Sequence, residues 1–523
     1  MKAKVSKTYM IIFSILTSVA TAISVSGCGE QLSSVTESTA AVTSATEAEQ
    51  TTPAAVTTQA STEAAKSKRL SEGDVTVNET ISDSTDGGHA ITADGEEASY
   101  SNVLVTKTGE ADGDEADFYG ENAAIFATNG GTLNLSDMVV KTDGKHANAV
   151  FSYGDGTTVN ISNSYINTTG NCSGGLMTTG GGTMNAQNLT IETSGNSSAA
   201  IRSDRGGGTV NVSGGYYSTS GTGSPVIYST ADITVSDAEM VSTASQGVVV
   251  EGKNSVTLNN VNLTADNNKK NSNKSSYYQA VMIYQSMSGD AAQGLSTFAM
   301  NGGTLVNKNG DIFFVNNTTT QISLDNASIT NEGDGVFLRA AAAGWGNEGS
   351  NGGQVTLNAT NQTINGDMLV DSVSTLNLYL KSGSAFNGAI NPDGDEGSVY
   401  VEIEDGSTWT LTSDSYVSSL TCSADSIKLN GHKLYVNGVE YTEGTASQGE
   451  AIEVTVSSSS GGHGGSHGGG HDGGTPPDKP GGEGGAPGGG FGGGSSEVIY
   501  GGSTEITAGA NEDGETYTSD TAD

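Results

Sequence analysis

Positive charge is scarce in this chain. Its 523 residues carry 21 Lys and Arg against 59 Asp and Glu, a formal net charge of −38. That balance excludes partners that are themselves polyanions, so nucleic acid and anionic membrane surfaces are not expected. It also disfavours acidic polysaccharides unless Ca²⁺ or a local basic patch bridges the repulsion. Arginine is the rarest charged residue, with only Arg69, Arg202, Arg205 and Arg339. Cysteine is nearly absent. Besides Cys28 there are Cys172 and Cys422. These two fall about ten repeats apart, beyond the short reach of a disulfide, and both read as lone packed thiols. Apolar residues make up 34% of the chain, little for a globule but enough for a thin, stacked core. Beyond residues 10–25, no run is long or apolar enough to span a membrane.

What the chain does have is a strand–turn–strand unit that returns about every 21–26 residues. Four copies stand in a row: Gly131-Thr132-Leu133-Asn134-Leu135, Thr157-Thr158-Val159-Asn160-Ile161, Gly182-Thr183-Met184-Asn185-Ala186 and Gly208-Thr209-Val210-Asn211-Val212. Looser copies continue from Ile233 to Val401. Apolar residues alternate with small polar ones, the period of a half-buried strand. Each unit holds three short strands. In one, Met184 and Ala186 alternate, then Leu189 and Ile191, then Ala199-Ala200-Ile201. A single turn of this kind cannot bury its apolar face alone, whereas stacked coils can, at a strand spacing of about 4.8 Å. Three strands per coil predicts an all-β fold, a right-handed parallel β-helix. No 3.6-residue stripe persists to support an α-solenoid. A propeller, with blades of roughly 40 residues, is the rival fold.

Two insertions interrupt the coils, at residues 265–278 and at 340–353, the second carrying Trp345. Insertions in a solenoid go to loops, often on a binding face. The stack is expected to end near Gly444. There Lys433-Leu434-Tyr435-Val436-Asn437-Gly438-Val439-Glu440-Tyr441 reads as a hairpin with an Asn-Gly turn, able to cover the open end.

The ends have different chemistry. Lys2, Lys4 and Lys7 precede the apolar run, which closes on Val25-Ser26-Gly27-Cys28. This resembles a bacterial lipoprotein signal with a lipobox, which implies lipidation at Cys28 and a location on the extracellular face of the bacterial cell membrane. The domain reading is therefore a signal over 1–28, a Ser/Thr/Ala-rich disordered stalk over 29–70 and the β-helix over 71–456. A Gly/His-rich linker follows over 457–494 and a tail over 495–523. In the linker, His463, His467 and His471 are read as flexible spacer, with weak metal capture as the alternative. In the tail, Glu497-Val498-Ile499-Tyr500 and Thr504-Glu505-Ile506 regain strand character, as if a second β-helix began there.

Candidate sites follow from which residues should face outward. Aligning Val150, Leu176, Ile201, Ile227, Val250 and Ile283 as inward residues of the third strands makes Phe151, Met177, Arg202, Tyr228, Glu251 and Tyr284 an outward ridge, with Arg339 further along. Aromatic faces stack on sugars, and Arg with Glu grips hydroxyls or carboxylates. Arg202, Asp204, Arg205, Tyr228, Glu251, Tyr284, Arg339 and Trp345 are thus candidate ligand-binding residues. The competing reading is a ladder of ion pairs that stabilises one face. Two acidic loops, Asp112, Asp114, Glu115 and Asp117, and Asp393, Asp395 and Glu396, offer oxygens that Ca²⁺ would want, although a solvated loop explains them as well. Asp112, Asp114, Asp117, Asp393 and Asp395 are the candidate metal ligands. Finally, Thr132, Thr158, Thr183 and Thr209, and Asn134, Asn160, Asn185 and Asn211, form two outward columns. A hydroxyl array could bind ice, but stacked Asn and Thr are read here as stabilisers of the coils.

The coils from about residue 130 to 430 resemble the pectin-lyase-like right-handed β-helix group. More narrowly, they resemble the adhesin-like, carbohydrate-binding surface lipoproteins of anaerobic Firmicutes. The likeness is carried by Ser198-Ala199-Ala200-Ile201-Arg202-Ser203-Asp204-Arg205-Gly206-Gly207-Gly208, Gly223-Ser224-Pro225-Val226-Ile227-Tyr228-Ser229-Thr230 and Tyr284-Gln285-Ser286-Met287-Ser288-Gly289-Asp290. The group includes pectate lyases and polygalacturonases. Their Arg-x-Pro-x-x-Arg, Asn-Thr-Asp, Asp-Asp and strand-borne Gly-His-Gly signatures are missing here; Gly462-His463-Gly464 lies in the linker. Fold alone does not give function. The ridge, the anchored stalk and the missing enzyme signatures make the expectation a monomeric, non-catalytic adhesin that binds a polysaccharide or a cell-surface glycan. The alternatives are a polysaccharide lyase or glycoside hydrolase using Arg202 or Arg205 with Asp204 or Glu251, and a plain structural spacer.

Overall fold

A computed structural model describes residues 69–456, apart from 271–273, 275, 287 and 395–396. Cys28, the stalk up to residue 68, the linker histidines, the tail and Asp395 lie outside the described residues.

Alternation in the first strands sets the architecture. In Thr132–Ser136, Thr158–Ser162 and Ser255–Asn259, every second residue is buried and the rest are partly exposed. Each strand pairs in parallel with its counterpart one coil away, so Leu133 lies beside Val159, then Met184, then Val210. The first and second strands of successive coils join in one sheet of 21 strands, and the third strands make another of 11. Two smaller sheets of four and three strands complete the C-terminal coils. The molecule is a parallel β-helix, as the repeat predicts.

The corner between first and second strands needs one residue in the left-handed region at every coil. Asp137, Asn163, Asn188, Asp237, Asn260, Asn326 and Asn361 supply it, with φ between 48° and 56°, and Gly214 and Gly302 do so in the coils between them. Asn and Asp tolerate this region better than other side-chain-bearing residues. A second corner stacks Gly144, Gly170, Gly195 and Gly221. A Cβ on any of the last three would collide with the carbonyl oxygen of the glycine one coil earlier. Between the corners the interior is closely filled. Phe298, Phe313 and Phe337 follow one another with centroids 5.6 and 5.5 Å apart, the first pair edge-on and the second tilted. Each fully buried aliphatic or aromatic side chain contributes about 1.5–3 kcal/mol. Two of the threonines that enter the interior are satisfied by nearby backbone: Thr168 and Thr193 donate to the carbonyls of Ser173 and Ser198, each at 2.6 Å.

The expected hairpin is present. Leu434–Val436 runs antiparallel to Val439–Glu440, and Asn437 and Gly438 both have positive φ, as a type I′ turn requires. From there the chain turns back as an extended strap across the outer face of the large sheet. Ser447 bridges Cys422, Glu450 donates to the Ser419 hydroxyl at 3.0 Å, and Ile452 exchanges two bonds with the Asn377 amide at 2.9 and 3.0 Å. No helix among the described residues is long and apolar enough to cross a membrane.

Candidate functional site

The third-strand ridge is present but differs from expectation in register and in exposure. Arg202 pairs with Tyr228, yet Tyr228 pairs with Val249 rather than Glu251. The outward column runs Phe151, Met177, Arg202, Tyr228, Val249, Met282, Phe314, Arg339. Glu251 and Tyr284 pair with each other on the same side, two residues further along. The slip arises in Val248-Val249-Val250, where apolar residues occupy both faces and alternation no longer marks which one points inward.

Those apolar residues are there because the ridge is roofed. Arg202, Tyr228, Glu251 and Tyr284 are at most 1% exposed. Phe126, Phe151 and Met177 pack with Ala123 in one apolar layer outside the sheet. Tyr228, Val249, Met282, Tyr284 and Phe314 pack with Trp345 in another. Trp345, brought in by the second insertion, meets Tyr284 edge-on at 5.2 Å and is fully buried. It is part of the roof's core, not an exposed sugar platform.

Between the two apolar layers lies a polar cluster. Arg202 donates to Asp204 at 3.0 Å, both side chains 1% exposed. Burial drives the Asp204 carboxyl up to about 7 although Arg202 opposes it. Glu251 accepts hydrogen bonds from the Tyr228, Tyr284 and Ser286 hydroxyls, the Tyr284 bond at 3.0 Å. Burial still raises it to about 7. Arg205 joins two roof segments. Its Nε and Nη2 donate to Asp290 at 3.0 and 2.8 Å, its Nη1 meets Asp114 at 3.3 Å, and its guanidinium lies 3.5 Å above the Phe118 ring. Arg339 pairs with Asp311 at 2.6 Å and lies over Tyr277.

The first acidic loop is explained by the same cluster. Asp112 pairs with Lys145, Asp114 with Arg205, and Asp117, in the short helix Asp114–Phe118, with His146 at 2.9 Å. Burial pushes the His146 imidazolium down, but hydrogen bonds to Asp117 and Cys172 outweigh it and hold its pKa at about 9. These carboxylates are spent on cations of the coils. Asp393 is exposed. Among the described residues no group of three or more His, Cys, Asp or Glu is gathered as for a metal ion; the carboxylates of Asp112, Asp114 and Asp117 are taken up by Lys145, Arg205 and His146, and Asp395 of the second loop lies outside the described residues. Asp290, Phe118 and His146 were not legible as partners. The contacts of Arg205 with Asp290 and Asp114 span 85 and 91 residues of sequence, and no local pattern announces them.

The outward face of the first strands from Ser99 to Ser236 is left open by the described residues. On the first strands the Thr and Asn columns are in register across four coils. The Asn side chains form a one-directional ladder, Asn211 to Asn185 at 3.0 Å, Asn185 to Asn160 and Asn160 to Asn134 at 2.9 Å, ending on Glu97 at 3.0 Å. Beside it runs a parallel row of Ser136, Ser162, Gln187, Ser213 and Ser236. Together the rows line a groove of about 850 Å³ that crosses six strands, from Ser99 to Thr234. Apart from Glu97, whose carboxylate closes the ladder at one end, no carboxylate or cationic side chain of the described residues borders it. No protein-family model matches this chain, and no curated protein or solved structure shows significant similarity to it.

Proposed function

We propose that this chain is an adhesin-like, non-catalytic surface protein whose β-helix binds an extended extracellular polymer, carbohydrate in the first instance. The observation that carries the reading is the outer face of the large sheet. Its polar side chains recur at every strand spacing, about 4.8 Å, so a polymer lying along the coil axis meets the same donors and acceptors repeatedly. The strap supports it: residues 447–455 already lie extended across this face, held by Thr421, Ser419, Asn377 and Thr319. The lipobox-like segment ending at Cys28 and the resemblance to pectin-lyase-like adhesins agree with display outside the cell, on a lipid anchor.

An enzymatic reading has one observation in its favour. Asp204 and Glu251 share a buried layer with Arg202 and Tyr228, and both carboxyls are raised to about 7, the range that suits acid–base work. Both are sealed beneath the roof, which places catalysis second.

The test is retention of the full chain on a panel of immobilised polysaccharides, with and without Ca²⁺, followed by an assay for released reducing or unsaturated ends. Retention without cleavage supports the binding module. Cleavage lost in Glu251→Gln establishes the enzyme, and absence of both leaves a structural spacer.

A further inference from the structure

The inference drawn here rests on the polymer-binding reading and names both its site and its ligand class. We propose that the groove over the asparagine and serine rows is the binding site, and that it takes an uncharged, extended polysaccharide lying along the coil axis.

A side-chain amide has two N–H donors and an oxygen with two lone pairs. In the ladder, Asn160 and Asn185 each donate once to one neighbour and accept once from the other. One donor and one lone pair per residue therefore stay available at the surface. The hydroxyls of Ser136, Ser162 and Ser213 add a second donor–acceptor row. Their outlook is fixed, because every amide is pinned by its neighbours and costs little further ordering on binding. A row of fixed donor–acceptor pairs, repeated at the strand spacing, matches the repeated vicinal hydroxyls of a sugar polymer. The ladder points one way throughout, which gives the site a polarity that a directional chain can follow. Six strands span five spacings, roughly 24 Å, long enough for an oligosaccharide segment rather than a single sugar.

Charge selects the class. A polyuronate or sulfated chain would need cations to offset the −38 of the whole chain, and the groove lining supplies none. A polyamine or amino-sugar polymer would be drawn to the acidic surface in general, with no reason to prefer a lining without carboxylates. An uncharged polymer loses nothing to either effect.

The experiment uses the full chain and measures affinity for soluble β-glucan, mannan, xylan, polygalacturonate and chitosan. Two variants alter the groove without touching buried residues: Ser213→Trp fills it, and Gln187→Glu adds a charge at an exposed position. Circular dichroism checks that both keep the fold. The expected result is binding to at least one uncharged polymer, weakened tenfold or more by Ser213→Trp and less by Gln187→Glu. Lys308→Ala, an exposed change on another face, should leave it unaltered. Binding only to polygalacturonate or chitosan overturns the ligand class. Binding to an uncharged polymer that both groove variants leave intact overturns the site while sparing the wider reading. No binding to any polymer removes both.

Discussion

Glu251→Gln should make the β-helix less sensitive to alkali, and the size of the effect follows from burial. Glu251 is fully buried, and its carboxyl is raised from 4.5 to about 7 by desolvation, against the hydrogen bonds from Ser286, Tyr228 and Tyr284. Its folded pKa lies above its unfolded one. Between the two values the folded state holds a proton that the unfolded chain has released, so stability falls as pH rises from about 4.5 to about 7 and stays lower above that. At 1.36 kcal/mol per pKa unit, the loss is on the order of 3 kcal/mol. Glutamine has no proton to lose. It keeps an oxygen for the tyrosine hydroxyls, at a constant cost of about 1 kcal/mol for the imperfect replacement.

The readout is therefore the difference between variant and wild type as a function of pH. Trp345 reports it, since its ring lies 5.2 Å from Tyr284 in the same layer. A Trp409→Phe background removes the only other tryptophan. Urea unfolding from about pH 4 to pH 9 should show Glu251→Gln gaining about 3 kcal/mol on wild type between the ends of the range. A difference that stays constant across that range would refute the assignment of Glu251 as a buried, neutral-state carboxyl. His146 adds a second window in both proteins. Its pKa is raised from 6.5 to about 9, so its contribution is complete below about 6.5 and disappears as pH rises through 9.

Three further outcomes are expected. Arg205→Ala leaves Asp290 without its guanidinium partner, its side chain only 4% exposed, at a cost of about 3 kcal/mol; hydrogen exchange should quicken at Ser288, Asp290 and the helix Asp114–Phe118 while the coil strands stay protected. Asn185→Ala removes two ladder bonds, about 2 kcal/mol at about 1 kcal/mol each, read as a lower urea midpoint with unchanged slope. Gly195→Ala places a Cβ against the Gly170 carbonyl and should lower the thermal midpoint by an amount equivalent to 1–3 kcal/mol or more, as overpacking does, whereas Gly73→Ala, which meets nothing closer than 4.0 Å, should not.

The repeat made the fold legible, because a period-2 pattern that returns at near-constant spacing has few other solutions. Stacking of Thr132 with Thr158 and of Asn134 with Asn160, and the turn at Asn437-Gly438, could be read from residue types alone. The roof could not. Its segments are polar, irregular and far in sequence from what they cover. Arg205 looked like a surface cation because nothing near it in sequence is its partner. Reading Glu251 in strand register with Tyr228 failed for a related reason, although their side chains do meet. The coil from Ile227 to Val248 is 21 residues long where the one before it, from Ile201 to Ile227, is 26, and a uniformly apolar valine run gave no phase by which to notice.

That loss of phase is itself informative about where a ligand can sit. A strand wet on one face alternates, whereas a strand buried on both faces reads as a continuous apolar run. Thr158–Ser162 and Ser255–Asn259 alternate cleanly; Val248–Glu251, Gln279–Tyr284 and Asp311–Asn316 do not, and every residue of the latter three is buried. Large apolar residues on the outward side of a solenoid strand have to be covered, and here Trp345, Tyr277 and Phe118 belong to the segments that do it. Conversely, the face whose outward residues are small and polar needs no cover, and no described residue covers it over six coils. Arginine and tyrosine on a third strand look like ligand contacts only as long as alternation is assumed to hold there. Where it breaks, the richer side chains belong to the protein's own packing, and the plain columns of Asn and Ser are what remains for a partner to touch.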